Sequence, residues 1–121
     1  KGISVVCTLT AEIPESLEHD ISIILSNLLD NAIEASEKLK DIKPEIILNI
    51  TQKSGYYSIL IKNRIEDSVI SENKQLHTTK VDKQHHGYGL KTVKMLTATH
   101  NGMTDIYEKD GFFIVNTMLN I

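Results

Sequence analysis

Tryptophan is absent from this 121-residue chain, cysteine occurs once, proline twice, and aromatic residues make up only 5% of it. A lone cysteine excludes an internal disulfide and a thiolate metal cluster, so neither can hold the fold together. Cys7 lies in an apolar, alternating stretch and is expected as a buried small hydrophobe, which fits an intracellular location. No apolar run approaches the roughly 18 to 20 residues of a membrane span, and the N-terminus lacks the charged and apolar regions of a signal peptide. The chain starts at Lys1 rather than Met, as expected for a fragment of something longer. Excess basic charge is missing too: the net charge is −3, without the positive footprint that a nucleic acid requires. There is no Gly-x-Ser-x-Gly elbow, no Walker-type glycine loop with Lys-Ser/Thr, and no catalytic carboxylate pair. His85 and His86 have no spaced third ligand, which argues against a transition-metal site.

What is present suits one soluble globular domain, with 40% hydrophobic and 24% charged residues and enough length for a single core. Ile3-Ser-Val-Val-Cys-Thr-Leu-Thr is rich in β-branched residues and reads as a strand that ends near Pro14. Glu15 to Lys40 reads as a long helix. At about 100° per residue its core face takes Ile21, Leu25, Leu28, Leu29, Ala32, Ile33, Ala35 and Leu39, while Asn27, Asn31, Glu34 and Lys38 fall within roughly 60° of one another on the other side. Glu45 to Gln52 alternates as a strand, Lys53-Ser54-Gly55 turns, and Tyr56 to Asn63 returns as the second arm of a hairpin. From Arg64 to His86 no period is sustained, and a loop of that length inside so small a domain is a lid or is disordered. Gly89 to His100 reads as a second helix with Leu90, Val93, Met95, Leu96 and Ala98 as its apolar residues, stopped by Asn101-Gly102. Met103 to Glu108 and Phe112 to Ile121 alternate around Lys109-Asp110-Gly111, a further hairpin. Two hairpins with two substantial helices predict an α+β fold, a two-layer sandwich whose mixed, mostly antiparallel sheet carries both helices on one face.

Chemistry points to few residues. Asn27 and Asn31 stand one helical turn apart in an otherwise apolar helix, a polar stripe that must meet something polar. A carboxamide oxygen is a neutral hard ligand suited to Mg²⁺, which keeps several waters and takes its other oxygens from phosphates. Gly87-Tyr88-Gly89 opens the second helix, whose first turn offers unpaired N–H groups and a favourable dipole to an anion. Asn63 closes its strand just before the long loop, where one carboxamide can both donate to and accept from a purine edge. Lys80 and Lys83, in that loop, have the reach for β- or γ-phosphates. Taken singly, each of these also suits a plainer role: a helix-interface amide, a loop-to-helix joint, a strand-end turn residue, a solvated charge.

Together they resemble the gyrase, heat-shock chaperone, histidine kinase and mismatch-repair ATPases that share the Bergerat nucleotide-binding fold, the GHKL superfamily. Ser26-Asn27-Leu28-Leu29-Asp30-Asn31-Ala32 is similar to the N box of its histidine kinases, and His86-Gly87-Tyr88-Gly89-Leu90 to its second glycine box. The element order matches over nearly the whole chain, and the two boxes together are far more specific than either alone. Within the superfamily the chain looks most like sensor kinases of the Gram-positive peptide quorum-sensing type, which lack the first glycine box Asp-x-Gly-x-Gly. Ile61-Lys62-Asn63-Arg64-Ile65 stands in its place, and the stretch from Thr78-Thr79-Lys80 to His86-Gly87 looks like that subgroup's lid.

The resemblance implies ATP and Mg²⁺ as ligands. Asn31 would coordinate the metal, Asn27 would assist at the phosphates, Asn63 would read adenine, and Lys80 would approach from the lid. Gly87, Tyr88, Gly89 and Leu90 would bring backbone groups to the phosphates, and no residue of the chain would itself be catalytic. It implies that residues 1–121 form a single ATP-binding catalytic domain, the C-terminal part of a longer kinase. Such a domain is cytoplasmic, belongs to a membrane-anchored sensor, and touches neither membrane nor nucleic acid. Its partners would be the histidine-containing dimerisation domain of the same kinase and a downstream response regulator. None of His19, His77, His85, His86 or His100 lies in a phosphoacceptor helix pattern. The chain departs from the family in having Asn63 for Asp, a lid poor in glycine, and Gly111-Phe112-Phe113 where a Gly-Thr is usual. Two rival readings are a degenerate domain that acts through protein contacts and a Ser/Thr kinase of the anti-sigma-factor kind.

Overall fold

A computed structural model describes residues 2–53, 55–67 and 86–120, with the backbone alone at 86 to 88. The chain order is β1 (Ser4–Leu9), α1 (Glu15–Glu37), β2 (Glu45–Lys53), β3 (Tyr56–Arg64), α2 (His86–Thr99), β4 (Met103–Lys109) and β5 (Phe112–Asn120). The strands form one sheet in the order β1-β2-β3-β5-β4. β1 pairs parallel with β2, as its helical crossover through α1 demands, and every other ladder is antiparallel. Both helices pack on the same layer side by side, α1 over β2 and β3, α2 over β4 and β5. The expected α+β two-layer sandwich, with a mixed and mostly antiparallel sheet, is the observed architecture.

α1 starts where Pro14, extended at φ −64 and ψ 147, hands its carbonyl to the Leu17 N–H at 2.9 Å. No side chain caps this end; Glu15 and Glu18 place negative charge against the positive end of the helix dipole instead. Its inward stripe is Leu17, Ile21, Ile24, Leu28, Ala32 and Ser36, spaced three and four apart. The wheel reading put Ile33 in that stripe; it is 39% exposed, and Ser36 takes the buried place. The helix also ends at Glu37 rather than Lys40. Beyond that end a distant residue takes over: the N–H groups of Lys40, Asp41 and Ile42 donate to Glu66 Oε2 at 3.0, 2.5 and 3.2 Å, which holds the chain off the helical path. Those hydrogen bonds, that from Asp41 foremost, hold the Glu66 carboxyl below its ordinary range.

Alternation decides the sheet. Ile46, Leu48 and Ile50 of β2 and Tyr57, Ile59, Ile61 and Asn63 of β3 face the helices and are buried, while their neighbours are half-buried on the open face. Each fully buried Ile or Leu contributes about 1.5 to 3 kcal/mol relative to exposure, and this slab is the main stabilising mass. Tyr57 buries its ring and donates its hydroxyl to the Glu12 carbonyl, fastening the β1–α1 connection to the core. β1 departs from expectation: no helix covers it, so Val5 and Leu9 are 54% and 57% exposed, and Cys7 is exposed instead of buried. An alternating apolar strand signals a core face only when a second layer lies above it.

α2 begins at His86, three residues before the expected Gly89, so the whole Gly87 to Leu90 stretch lies inside the helix start. Leu90, Val93 and Thr97 point inward, whereas Met95 is 62% exposed. Thr97 is tolerated in the interior because its hydroxyl donates to the Val93 carbonyl at 2.6 Å and accepts from Thr104 at 3.0 Å. The stop works through Asn101, which takes the left-handed conformation at φ 55, followed by the Gly102 N–H donating to the Thr97 carbonyl at 2.9 Å. At the last hairpin Asp110 and Gly111 both have positive φ, 54 and 81, as a two-residue type I′ turn needs.

Candidate functional site

The polar stripe of α1 does meet a polar destination. A Cβ placed on Gly89 would lie 3.4 Å from Asn27 Oδ1 and 3.5 Å from both Nδ2 and Oδ1 of Asn31. The asparagine pair and the start of α2, which lie far apart in sequence, therefore face one another, with a glycine where any side chain would fill the space between. Asn27 Nδ2 donates back to the Ile23 carbonyl at 3.0 Å, which leaves its oxygen directed at Gly89. Asn31 Nδ2 is buried and, like the hydroxyls of Ser36 and Thr117, has no hydrogen-bond partner among the described residues. A buried amide without a partner costs about 1 to 3 kcal/mol, so it marks a place where a partner belongs.

Helix direction explains the convergence. His100, just beyond α2, meets Asp20 near the start of α1 with Nε2 2.7 Å from Oδ2, whereas Gly89, near the start of α2, meets residues further along α1. The two helices are thus antiparallel, and the start of α2, where a helix leaves its first N–H groups without an intrahelical acceptor, lies beside Asn27 and Asn31. Leu90 buries its side chain in the core, so its contribution to a ligand is confined to its backbone. Tyr88 lies in the same first turn. Gly89 itself is helical, and its usefulness lies in the missing Cβ rather than in a positive φ.

Asn63 occupies the same end of the sandwich. It is 4% exposed on the helix-facing side of β3, between cross-strand neighbours Ile46 and Phe113. Its Nδ2 donates to the Arg64 carbonyl at 3.3 Å. Around it the strand end is tied down by the Arg64 Nε to Glu45 Oε1 pair at 3.0 Å and by the Ile65 N–H to Gly111 carbonyl bond at 3.0 Å. Lys80 and Lys83, with residues 68–85 of the long loop, lie outside the described residues. A surface cleft of about 300 Å³ lined by Ser4, Ile42, Lys43, Pro44, Glu45 and Arg64 contains none of the residues singled out from the sequence. Among the described residues, no group of three His, Cys, Asp or Glu side chains could hold a metal ion.

Sequence reading missed two neighbours of Asn63. Ile46 could have been counted across the β2–β3 turn, since the hairpin register is short-range. Phe113 could not, because it reaches Asn63 only through the long-range pairing of β3 with β5.

The donor set fits a magnesium nucleotide on chemical grounds. It offers carboxamide oxygens for a hard cation and, beside them, a helix start whose first N–H groups suit phosphate.

A family model described as GHKL domain matches residues 18–120. No curated protein matches the chain. Among solved structures, it superposes on the nucleotide-free catalytic domain of histidine kinase ThkA with a TM-score of 0.72 at 15% identity, covering 98% of this chain and 78% of that one. The blue-light activated histidine kinase EL346 of Erythrobacter litoralis gives 0.75 at 16% identity, covering 99% of this chain but 36% of that one. Histidine kinase AdeS of Acinetobacter baumannii gives 0.68 at 15% identity, covering 98% of this chain and 54% of that one. At such identities the likeness is one of fold. Among the described residues no helix is long and apolar enough to cross a membrane.

Proposed function

The chain belongs to the GHKL domain family, and from that premise we propose that it binds Mg-ATP between α1 and α2 and serves as the catalytic domain of a sensor histidine kinase. The observation that carries this reading is the convergence of Asn27, Asn31 and Gly89 around the partnerless Asn31 amide. Asn31 would hold Mg²⁺ through Oδ1. Asn27, whose nitrogen is already engaged by Ile23, offers an acceptor suited to a water on that ion. Backbone N–H groups of Gly87, Tyr88, Gly89 and Leu90 would take the phosphate oxygens, and Asn63 the adenine edge. Lys80 would reach the phosphates from the segment after β3. The bound metal would supply charge neutralisation on the phosphates, and the protein's share of phosphoryl transfer is positioning.

The acceptor would be a histidine on the dimerisation domain of the same kinase, with a response regulator downstream. Residues 1–121 would then be a single nucleotide-binding domain of a longer, membrane-anchored kinase whose kinase part is cytoplasmic. The missing Asp-x-Gly-x-Gly box, replaced by Ile61-Lys62-Asn63-Arg64-Ile65, favours the peptide quorum-sensing subtype. Calorimetric titration with ATP, with and without Mg²⁺, tests the site. Saturable Mg-dependent binding by the wild type and its loss in Asn31→Ala are expected; unchanged affinity in the variant removes the assignment. No Mg-dependent binding by the wild type at millimolar ATP would leave the degenerate, protein-contact reading in its place.

A further inference from the structure

We propose that the open face of the sheet, at the end where β3 finishes and β5 begins, is a docking surface for an acidic segment of a protein partner, whose carboxylates meet Lys62, Arg64 and Lys109 while an apolar side chain rests against Phe112. The proposal is independent of the nucleotide reading, because this is the face that both helices leave bare.

Strand register fixes the neighbours. Glu45, Arg64, Phe112 and Lys109 form the last row across β2, β3, β5 and β4, and all four alternate away from the helices. The row below it is Ile47, Lys62, Ile114 and Tyr107. Lys62 stands in that second row but carries its Nζ to 5.0 Å from the centre of the Phe112 ring, where the Arg64 Cζ also lies, at 4.9 Å. An aromatic ring draws cations through its quadrupole yet neutralises none of them. Glu45, bonded to Arg64 Nε at 3.0 Å, is the one carboxylate in these two rows, against the cations Lys62, Arg64 and Lys109. Of the other nearby carboxylates, Glu66 is taken up by the 40–42 amides, Glu108 alternates to the helix-facing side, and Asp110 lies in the turn beyond Lys109. The cleft of about 300 Å³ that Glu45 and Arg64 line opens from the same row and adds Lys43 to the positive side. Ile114 is 5% exposed although it faces away from both helices and lies outside the main core, so the row below offers an apolar floor. A chain of net charge −3 thus gathers positive charge at one end of a sheet face, around an aromatic ring and a cleft. Complementarity assigns the opposite sign to whatever docks there, and the bare ring and apolar floor suit a protein segment.

The probe is a short synthetic peptide of glutamates around one leucine, titrated into the isotope-labelled chain and followed by amide chemical shifts. Shifts are expected to gather at Lys62, Arg64, Lys109 and Phe112. Raising salt from about 0.05 to about 0.5 M should weaken binding at least about tenfold. Lys62→Glu combined with Lys109→Glu should do the same at low salt with the melting temperature retained; should the pair fail to fold, Lys109→Glu alone, at an exposed position, is expected to cost about threefold. Equal binding by a peptide with lysine in place of glutamate, shifts centred elsewhere, or no binding at millimolar peptide would overturn the proposal. So would tighter binding of a single-stranded oligonucleotide to the same residues, which would give the face to nucleic acid. Self-association of the wild type that the double reversal abolishes would give it to a second copy, and overturn the proposal likewise.

Discussion

α2 has a glycine near each end, and the two do opposite things. At its C-terminal end a Cβ on Gly102 would fall 1.8 Å from the Met118 carbonyl oxygen, inside the backbone of β5, so that glycine is demanded by the fold. At its N-terminal end a Cβ on Gly89 would find ordinary contact distances of 3.4 to 3.5 Å to Asn27 and Asn31, so the folded chain has room for it. The polar groups divide in the same way. The C-terminal end is closed by the Asp20–His100 pair, while the N-terminal end leaves the Asn31 amide unmatched. The division is not complete, since the Thr117 hydroxyl, across the ladder from Thr104 near the C-terminal end, also lacks a partner among the described residues; what sets the N-terminal end apart is the missing side chain at Gly89 facing two carboxamides.

Substitutions can break or sharpen this contrast. The largest effect is expected from Gly102→Ala, where the clash with backbone forces β5 and the helix end apart at a cost of about 3 kcal/mol, read by denaturant unfolding. Gly89→Ala should do the reverse. It removes a flexible residue from a helix and stabilises the fold by about 0.5 to 1 kcal/mol, yet it fills the space beside Asn31 and should weaken Mg-ATP binding at least about tenfold, measured by calorimetry against the melting temperature. If Gly89→Ala left binding untouched, the two ends would be alike in being purely structural. His100→Ala removes the closing pair at the C-terminal end and is expected to cost about 1 kcal/mol of stability without changing nucleotide affinity.

The smallest effect belongs to Glu66, whose hydrogen bonds to the 40–42 backbone lie beyond α1. Its carboxyl is depressed in the folded state, so its contribution is present above the ordinary value of 4.5 and is lost as pH falls through the lower folded value. The amide signals of Lys40, Asp41 and Ile42 should shift together with a midpoint below 4.5 and should stop titrating in Glu66→Gln.

Legibility followed the range of the interaction. The β2–β3 and β4–β5 hairpins were readable because alternation and the Gly55 and Asp110-Gly111 turns are local signals. The class of fold followed from their order with the two helices. Burial of Cys7 was misjudged because it depends on which strand ends up at the sheet edge without a helix above it, a property of the assembly rather than of the strand. Ile33 and Ser36 exchanged places for a related reason: a wheel ranks residues by apolarity, whereas the neighbouring layer fixes which sector is covered. For the site, the spacing of Asn27 and Asn31 announced a polar stripe, but its pairing with Gly89 needed the antiparallel alignment of α1 and α2. The surroundings of Asn63 were hidden because the strand end beyond it is held by the Gly111 carbonyl of a hairpin near the other end of the chain.

The bare first strand has a kinetic meaning. Its single ladder is parallel and its side chains are exposed, whereas the connection after it is tethered by the Tyr57 hydroxyl, by the Thr10 N–H and hydroxyl on the Ile50 carbonyl, and by Ala11 and Ile13 packed on the core. Such a strand exchanges its amide hydrogens through local opening long before the slab of β2, β3 and β5 does. Local opening is therefore expected to begin at β1, while Asn27, Asn31 and Gly89 stand on the two helices packed over the more lasting part of the sheet.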